Sequence, residues 1–247
     1  MFERPIMSAT VPLIQARTGV IVAADVAGLD ELRRLVAACA GVPEVVAIKI
    51  GFSLGLRHGL PAVVDAIARI SAVPVIYDHQ KAGTDIPQMG GPFAAVCRDA
   101  GVKGVIFFPQ AGPKTLEGFV VGAFRCGLTP IVGLVMTHEA YLKSEGGYIV
   151  DDAPDAMART AIELGVKDFV LPGTKPEIVR RFSTGVLASV ESAGVFMPGI
   201  GSQGGDLKGA FWAATPHRHF AIIGSAIYGA KEPRTALQAF VQEVKNA

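Results

Sequence analysis

Cysteine is scarce in this sequence: Cys39, Cys97 and Cys126 are the whole supply. Three scattered thiols, none in a C-x-x-C pair, exclude a disulfide framework and read as small apolar residues on helices. An excess of charge of one sign is also missing. The 23 Lys and Arg stand against 22 Asp and Glu, which gives no electrostatic ground for a nucleic-acid or membrane-surface partner. No apolar run reaches the roughly 18 uncharged residues of a membrane span, so a soluble protein is expected. Residues 1–17 carry Glu3, Arg4 and Arg17 and lack the basic start and apolar stretch of a secretory signal, so the expected location is cytoplasmic. No Pro/Gly/Ser linker or low-complexity block divides the chain. The expectation is a single domain over residues 1–247, with 1–17 as an N-terminal extension.

What the sequence does have is apolar residues, which make up 50% of it, in short β-branched runs. The runs are GVIVAAD (19–25), EVVAIKI (44–50), VPVIYD (73–78), KGVIFF (103–108), PIVGLVM (130–136), DFVLPG (168–173), GVFMPG (194–199) and HFAIIGS (219–225). Between them lie helical patterns such as 29–40, 91–101 and 154–165. Strands that are apolar throughout and alternate with amphipathic helices predict a parallel sheet covered on both faces. Eight of them in a chain of 247 residues, without a dinucleotide-binding fingerprint, favour an α/β fold of the (β/α)8 TIM-barrel class over an open doubly wound sheet. In such a barrel the polar residues at strand C-terminal ends face the substrate.

Read in order, those ends give Asp25, Lys49, then Asp78 with Lys81 and Asp85, Thr137 with His138, Gly173-Thr174-Lys175, Gly199 to Gly205, and Gly224-Ser225. Lys49 inside VVAIKIG and Asp25 closing VIVAAD are unfavourable to bury unless they meet opposite charge. Two readings fit: an ion-pair network that closes the top of the barrel, or a Lys/Asp array that positions and polarises a small anionic substrate. PGIGSQGGD (198–206) and IIGSAIYGA (222–230) set glycine-rich turns after the seventh and eighth strands, the usual phosphate site of this architecture. Gln203 is the long amide there that could reach a phosphate. His79 and His138 match no metal-ligand spacing and read as rim residues.

IVAADV, VAIKIG, DHQKAGTDIP, VMTH, PGTKPE, PGIGSQGGD and GSAIYGA, in this order over roughly residues 18–240, resemble the orotidine 5'-monophosphate decarboxylase family. The resemblance implies a homodimeric barrel that needs neither cofactor nor metal. It would remove CO2 from orotidine 5'-monophosphate to give uridine 5'-monophosphate, as a carboxy-lyase of pyrimidine biosynthesis. On that resemblance Asp25 would bond the ribose, and Lys49 would belong to the charged network and touch the ribose. Asp78 would sit beside the departing carboxylate, and Lys81 would protonate the ring carbon. Asp85 would reach into the neighbouring subunit's site, Thr137 would contact the pyrimidine, and Gln203 would bridge base and phosphate. The resemblance also sets Ile86, Pro198, Gly204, Gly224 and Ser225 against the substrate.

The chain departs from the family's pattern in places. D-x-K-x-x-D is stretched to Asp78-x-x-Lys81-x-x-x-Asp85, and a strand-end bulge is expected to absorb the extra residue in each gap. Ser225 stands where an arginine usually grips the phosphate, so backbone amides, Gln203 and Lys175 are expected to hold the dianion instead. Lys175 itself replaces an arginine, and Met89 stands where relatives often have a small polar residue from the partner. Residues 137–147 and the Gln203 loop are the expected lids. Two alternatives stay open. One is a Mg-dependent hexulose-phosphate synthase or keto-gulonate-phosphate decarboxylase relative, which would carry an acid at the Lys49 position; the other is a phosphate-binding barrel without activity.

Overall fold

Successive side chains of a strand point to opposite faces, so each apolar run supplies one set of residues to a barrel axis and another to the surrounding helices. The structure, a computed structural model, describes residues 12–80 and 83–246. Strands β1 (Thr18–Ala23), β2 (Val45–Gly51), β3 (Val75–Asp78), β4 (Gly104–Phe107), β5 (Thr129–Gly133), β6 (Asp168–Val170), β7 (Gly194–Pro198) and β8 (Arg218–Ile223) pair in chain order. All pairs are parallel, and β8 closes on β1 with Val22 beside Ile223.

Helices cover the outside. α1 (Leu29–Cys39) follows β1, α2 (Phe52–His58) and α3 (Leu60–Ala68) follow β2, and α4 (Gly90–Asp99) follows β3. α5 (Pro113–Arg125), α6 (Ala153–Glu163), α7 (Pro176–Thr184) and α8 (Leu207–Ala214) follow the next four strands. α9 (Ser225–Tyr228) and α10 (Pro233–Lys245) follow β8. The chain is therefore a (β/α)8 barrel. Among the described residues no helix is long and apolar enough to cross a membrane.

Ile21, Ala23, Ala47, Ile76, Ile106, Ile131, Val170, Phe196, Phe220 and Ile222 point inward and form one buried cluster. Val20, Val22, Ile48, Ile50, Val75, Tyr77, Val105 and Phe107 point outward into a second cluster under the helices. Leu13 and Ile14 join the inner cluster from the N-terminal end of the barrel, where the Arg218 guanidinium donates to the Ile14 carbonyl at 2.8 Å and pairs with Asp168 at 2.7 Å. Burial pushes the Asp168 carboxyl up to about 6 even though Arg218 opposes the shift.

The strands fall where the apolar runs predict them, but several leave the ladder early. β1 stops at Ala23, β5 at Gly133 and β6 at Val170. Residues such as Val135 and Met136 beyond those ends line the barrel mouth instead of pairing. Cys39 and Cys97 are buried on α1 and α4, where burial raises their thiols to about 11 and about 12. Cys126 follows the last residue of α5 and is half-buried, outside the helix in which it is expected.

One helix contact bears on the site. Glycines let α4 and α5 approach until backbones touch: a Cβ on Gly118 would overlap the Pro87 carbonyl, and one on Gly122 would lie 2.6 Å from the Gly90 carbonyl. Pro87 opens the one-turn 3-10 helix Pro87–Met89 that follows Asp85 and Ile86, and Thr115 of α5 donates to the Asp85 carbonyl at 2.8 Å. In an open helix, Gly→Ala gains up to about 1 kcal/mol. Here the overlap decides the sign, so Gly118→Ala is expected to destabilise by about 1–3 kcal/mol. A urea midpoint that falls at unchanged slope is the expected result; a rise shows that the helices can move apart freely.

Candidate active site

Parity turns two charged residues into the barrel. Lys49 is two residues beyond the inward Ala47, and Asp78 is two beyond the inward Ile76. Ala23 lies beside Lys49 and Gly51 beside Asp78, so the charged residues form the last interior layer at the C-terminal rim. The Lys49 ammonium donates to Asp78 Oδ2 at 2.9 Å and to Asp25 Oδ2 at 3.5 Å. Lys49 and Asp78 are buried, while 42% of the Asp25 side chain is exposed. Gly51 makes room for Asp25: a Cβ there would lie 2.6 Å from Asp25 Oδ1.

Burial presses the Lys49 ammonium toward losing its proton, but the Asp78 and Asp25 carboxylates outweigh it and hold its pKa above the ordinary lysine value. Lys49 is thus a fixed cation. Such a pair adds little to stability, because desolvating both charges offsets most of their attraction. Asp78 Oδ1 is buried with no hydrogen-bond partner among the described residues. An orphaned carboxylate oxygen beside a cleft suits a substrate or a further cation better than a packing role.

The cleft above this layer has a volume of about 210 Å³. Ala23, Ile106, Phe108, Val170 and Ile222 make its apolar floor. Asp25, Lys49, Asp78, Thr137, Pro198, Gln203, Gly224 and Ser225 line it, so these expected site residues do converge. Its glycine-rich side is closed by a hydroxyl pair, Ser225 Oγ donating to Ser202 Oγ at 2.7 Å. Gly199, at φ +91°, brings three loops together: a Cβ there would meet Thr174 Cγ2 at 2.8 Å, Thr137 Cγ2 at 3.1 Å and Gln203 Oε1 at 3.1 Å.

Other expected residues lie elsewhere. Lys81 is outside the described residues. Asp85 and Ile86 are exposed and do not line the cleft; Asp85 Oδ1 accepts from the Ile86 N–H at 2.7 Å. Gly204 also lies off the cleft, where it turns the loop at φ +87°. Lys175 does not line the cleft, and its ammonium is paired with Glu145. Nor does a bulge in β3 take up the stretched motif. β3 pairs with β4 in unbroken register to its last residue, Asp78 beside Ile106, and the extra length follows the strand. There Gly83, at φ +88°, passes so close to the Phe108 carbonyl that a Cβ would sit 3.0 Å from it. The expected lid 137–147 is joined to the loop after β6 by the Glu145–Lys175 pair.

His79 accepts or donates at Nδ1 to the Tyr77 hydroxyl at 2.8 Å, and His138 lies edge-on to Tyr141. Among the described residues no group of three His, Cys, Asp or Glu side chains is set to hold a metal. Sequence reasoning missed Gln80, Ser202 and Tyr228 as polar members of the lining. Ser202 had a usable signal, since it sits inside the glycine turn beside Gln203.

The model of the orotidine 5'-phosphate decarboxylase / HUMPS family matches residues 18–240. The chain is 28% identical over 233 residues to the orotidine 5'-phosphate decarboxylase of Methanosarcina mazei, covering 94% of this chain and 97% of that one. It is 30% identical over 209 residues to that of Thermoplasma acidophilum, covering 83% and 86%. Among solved structures it is similar to orotidine 5'-phosphate decarboxylase from Pyrococcus horikoshii, with a TM-score of 0.76 at 26% identity over 92% of this chain and 100% of that one. The enzyme from Methanocaldococcus jannaschii complexed with the inhibitor BMP has a TM-score of 0.79 at 22% identity, over 92% and 98%, and speaks for the fold alone. On the match over residues 18–240, the chain belongs to the orotidine 5'-phosphate decarboxylase / HUMPS family.

Proposed function

We propose that this protein decarboxylates orotidine 5'-monophosphate to uridine 5'-monophosphate without a cofactor, in the cytoplasm, as a step of pyrimidine biosynthesis. The observation that carries the reading is the Lys49 ammonium held between Asp25 and Asp78 on the floor of a cleft whose opposite wall is two glycine-rich turns. Family membership supplies the substrate. In the Mg-dependent branch an acid would stand at the end of the second strand; here an ammonium fills the space between the carboxylates, which disfavours a divalent cation there.

In this reading the phosphate lies against Ser202, Gln203, Gly224 and Ser225, with hydroxyls and amides in place of an arginine. The ribose meets Asp25 and Lys49, and the base lies under Thr137 and Pro198. The substrate carboxylate then comes near Asp78. Two like charges about 4 Å apart at an effective dielectric near 20 repel by on the order of 4 kcal/mol. The C6–carboxylate bond breaks, CO2 leaves, and the electron pair stays on C6. Lys81 supplies the positive field for that carbanion and then transfers its ammonium proton to C6. The field makes the larger contribution, since repulsion acts only on the ground state.

The same reading makes the protein a homodimer in which Asp85 serves the partner's site. Asp85 is exposed and off its own cleft, and its carbonyl is held by Thr115. Exposed Ile86 and Met89 follow it, and exposed Phe52 and Leu56 line a second hollow of about 480 Å³ beside Lys49 and Asp78. Together they offer apolar surface at the rim for a second copy to cover.

The test is an ultraviolet assay of purified protein with orotidine 5'-monophosphate in the presence of EDTA. Steady loss of substrate absorbance, the same with and without EDTA, is the expected outcome. A flat trace from folded protein defeats the activity, and a trace that EDTA stops moves the assignment to the Mg-dependent branch.

A further inference from the structure

The chain from Thr137 to Asp152, between β5 and α6, has a structure of its own. Leu142 and Ile149 form an isolated bridge, and Lys143–Glu145 is a one-turn 3-10 helix. A Cβ on Gly147 would overlap the Tyr141 carbonyl. One side chain gathers this loop: Glu145 Oε2 accepts the Tyr141 N–H at 3.2 Å and the Leu142 N–H at 3.4 Å, while Oε1 accepts the Lys175 ammonium at 2.5 Å. Lys175 belongs to the loop after β6, just before α7. Lys175 is half-buried, with 16% of its side chain exposed, while Glu145 lies at the surface with 28% of its side chain exposed. A charge-assisted bond whose carboxylate also gathers two backbone amides holds its geometry better than an isolated surface pair does.

The pair does not line the cleft, whereas Thr137, Gly199 and Gln203 do. Thr174 precedes Lys175, and Thr174, Thr137 and Gln203 converge on Gly199. The loops after β5, β6 and β7 therefore meet at one point, and the Glu145–Lys175 bond ties the first two of them together.

We propose that Glu145 and Lys175 form a latch that holds the loop after β5 on the loop after β6 and so sets Thr137 and Gln203 in place for base and phosphate. Both are positioning residues, and the role rests on the functional reading above. A loop ordered in advance need not be ordered by the substrate. Breaking the latch therefore weakens binding and leaves the chemical step alone.

The experiment compares Glu145→Ala, Lys175→Met, the double variant and Lys175→Arg. It measures kcat and KM for orotidine 5'-monophosphate, and hydrogen exchange at Tyr141 and Leu142 in the free protein. Each single loss is expected to raise KM about tenfold with kcat within about twofold, and the double variant to be no worse than either. Lys175→Arg is expected to restore most of the binding. The Tyr141 and Leu142 amides are expected to exchange at least about tenfold faster in Lys175→Met, which keeps their Glu145 acceptor and removes only the tie to the loop after β6. Lys175→Met losses that multiply with those of Glu145→Ala would make Lys175 a substrate contact and overturn the latch. Unchanged exchange at the two amides would overturn it as well. The exchange arm needs no turnover, so a native protein inert toward the substrate counts against the activity and leaves the latch to be decided by exchange.

Discussion

Lys81→Ala is expected to lower kcat for decarboxylation by at least about 10⁴-fold, since a positioned proton donor contributes roughly 10²–10⁴ and a preorganised charge at the reacting atom a further 10²–10³. The reaction leaves an electron pair on a ring carbon that has no electron sink of its own. Lys49 cannot take over the task, because its ammonium is committed to Asp78 and Asp25. Lys81 follows Asp78 by three residues, and Asp78 keeps one buried oxygen without a partner among the described residues. An ammonium on that oxygen would complete an alternation of charge across the mouth. Product binding should change far less, by about tenfold or under, because the phosphate and ribose contacts proposed above lie on other loops. Ultraviolet progress curves and uridine 5'-monophosphate titrations give the two numbers. A variant that keeps more than about a hundredth of native kcat removes Lys81 from the chemistry.

Much of this was open to reading in the sequence because charge inside an apolar run is physically conspicuous. Lys49 in VVAIKIG and Asp78 in VIYD had to meet opposite charge, and strand parity delivers both to the barrel axis. The strands were legible for the same reason, since each is a β-branched run bounded by turn residues. Loop residues carry no such period. Nothing marks Gln80 or Tyr228 as cleft lining, and nothing links Glu145 to Lys175 across thirty positions. Lys175 read as peripheral from its place in PGTKPE and as one stand-in for the arginine missing at Ser225, whereas the fold gives it a carboxylate partner. The stretched Asp78–Asp85 spacing suggested a bulge at the strand end. β3 pairs with β4 in unbroken register up to Asp78, so no bulge lies in the paired residues.

Lys49→Met separates the two meanings of a buried charge network, structural closure and function. It removes the ammonium from between two carboxylates and takes from buried Asp78 the one counter-ion it has among the described residues. Loss of one partner of a buried pair costs about 3–5 kcal/mol, and that is the destabilisation expected near neutral pH. The pH dependence has a definite sign. In the native protein the Lys49 pKa is raised above the ordinary 10.5, so its contribution is fully present below that value and is lost only as pH rises through the higher folded value. Lys49→Met with Asp78→Leu replaces the whole pair by apolar groups and is expected to regain most of the stability, because such exchanges are often neutral. Decarboxylation should stay absent in both. If the double variant is as unstable as the single one, the network is there to close the barrel. If it is stable and inert, the charges are kept at the mouth for the substrate.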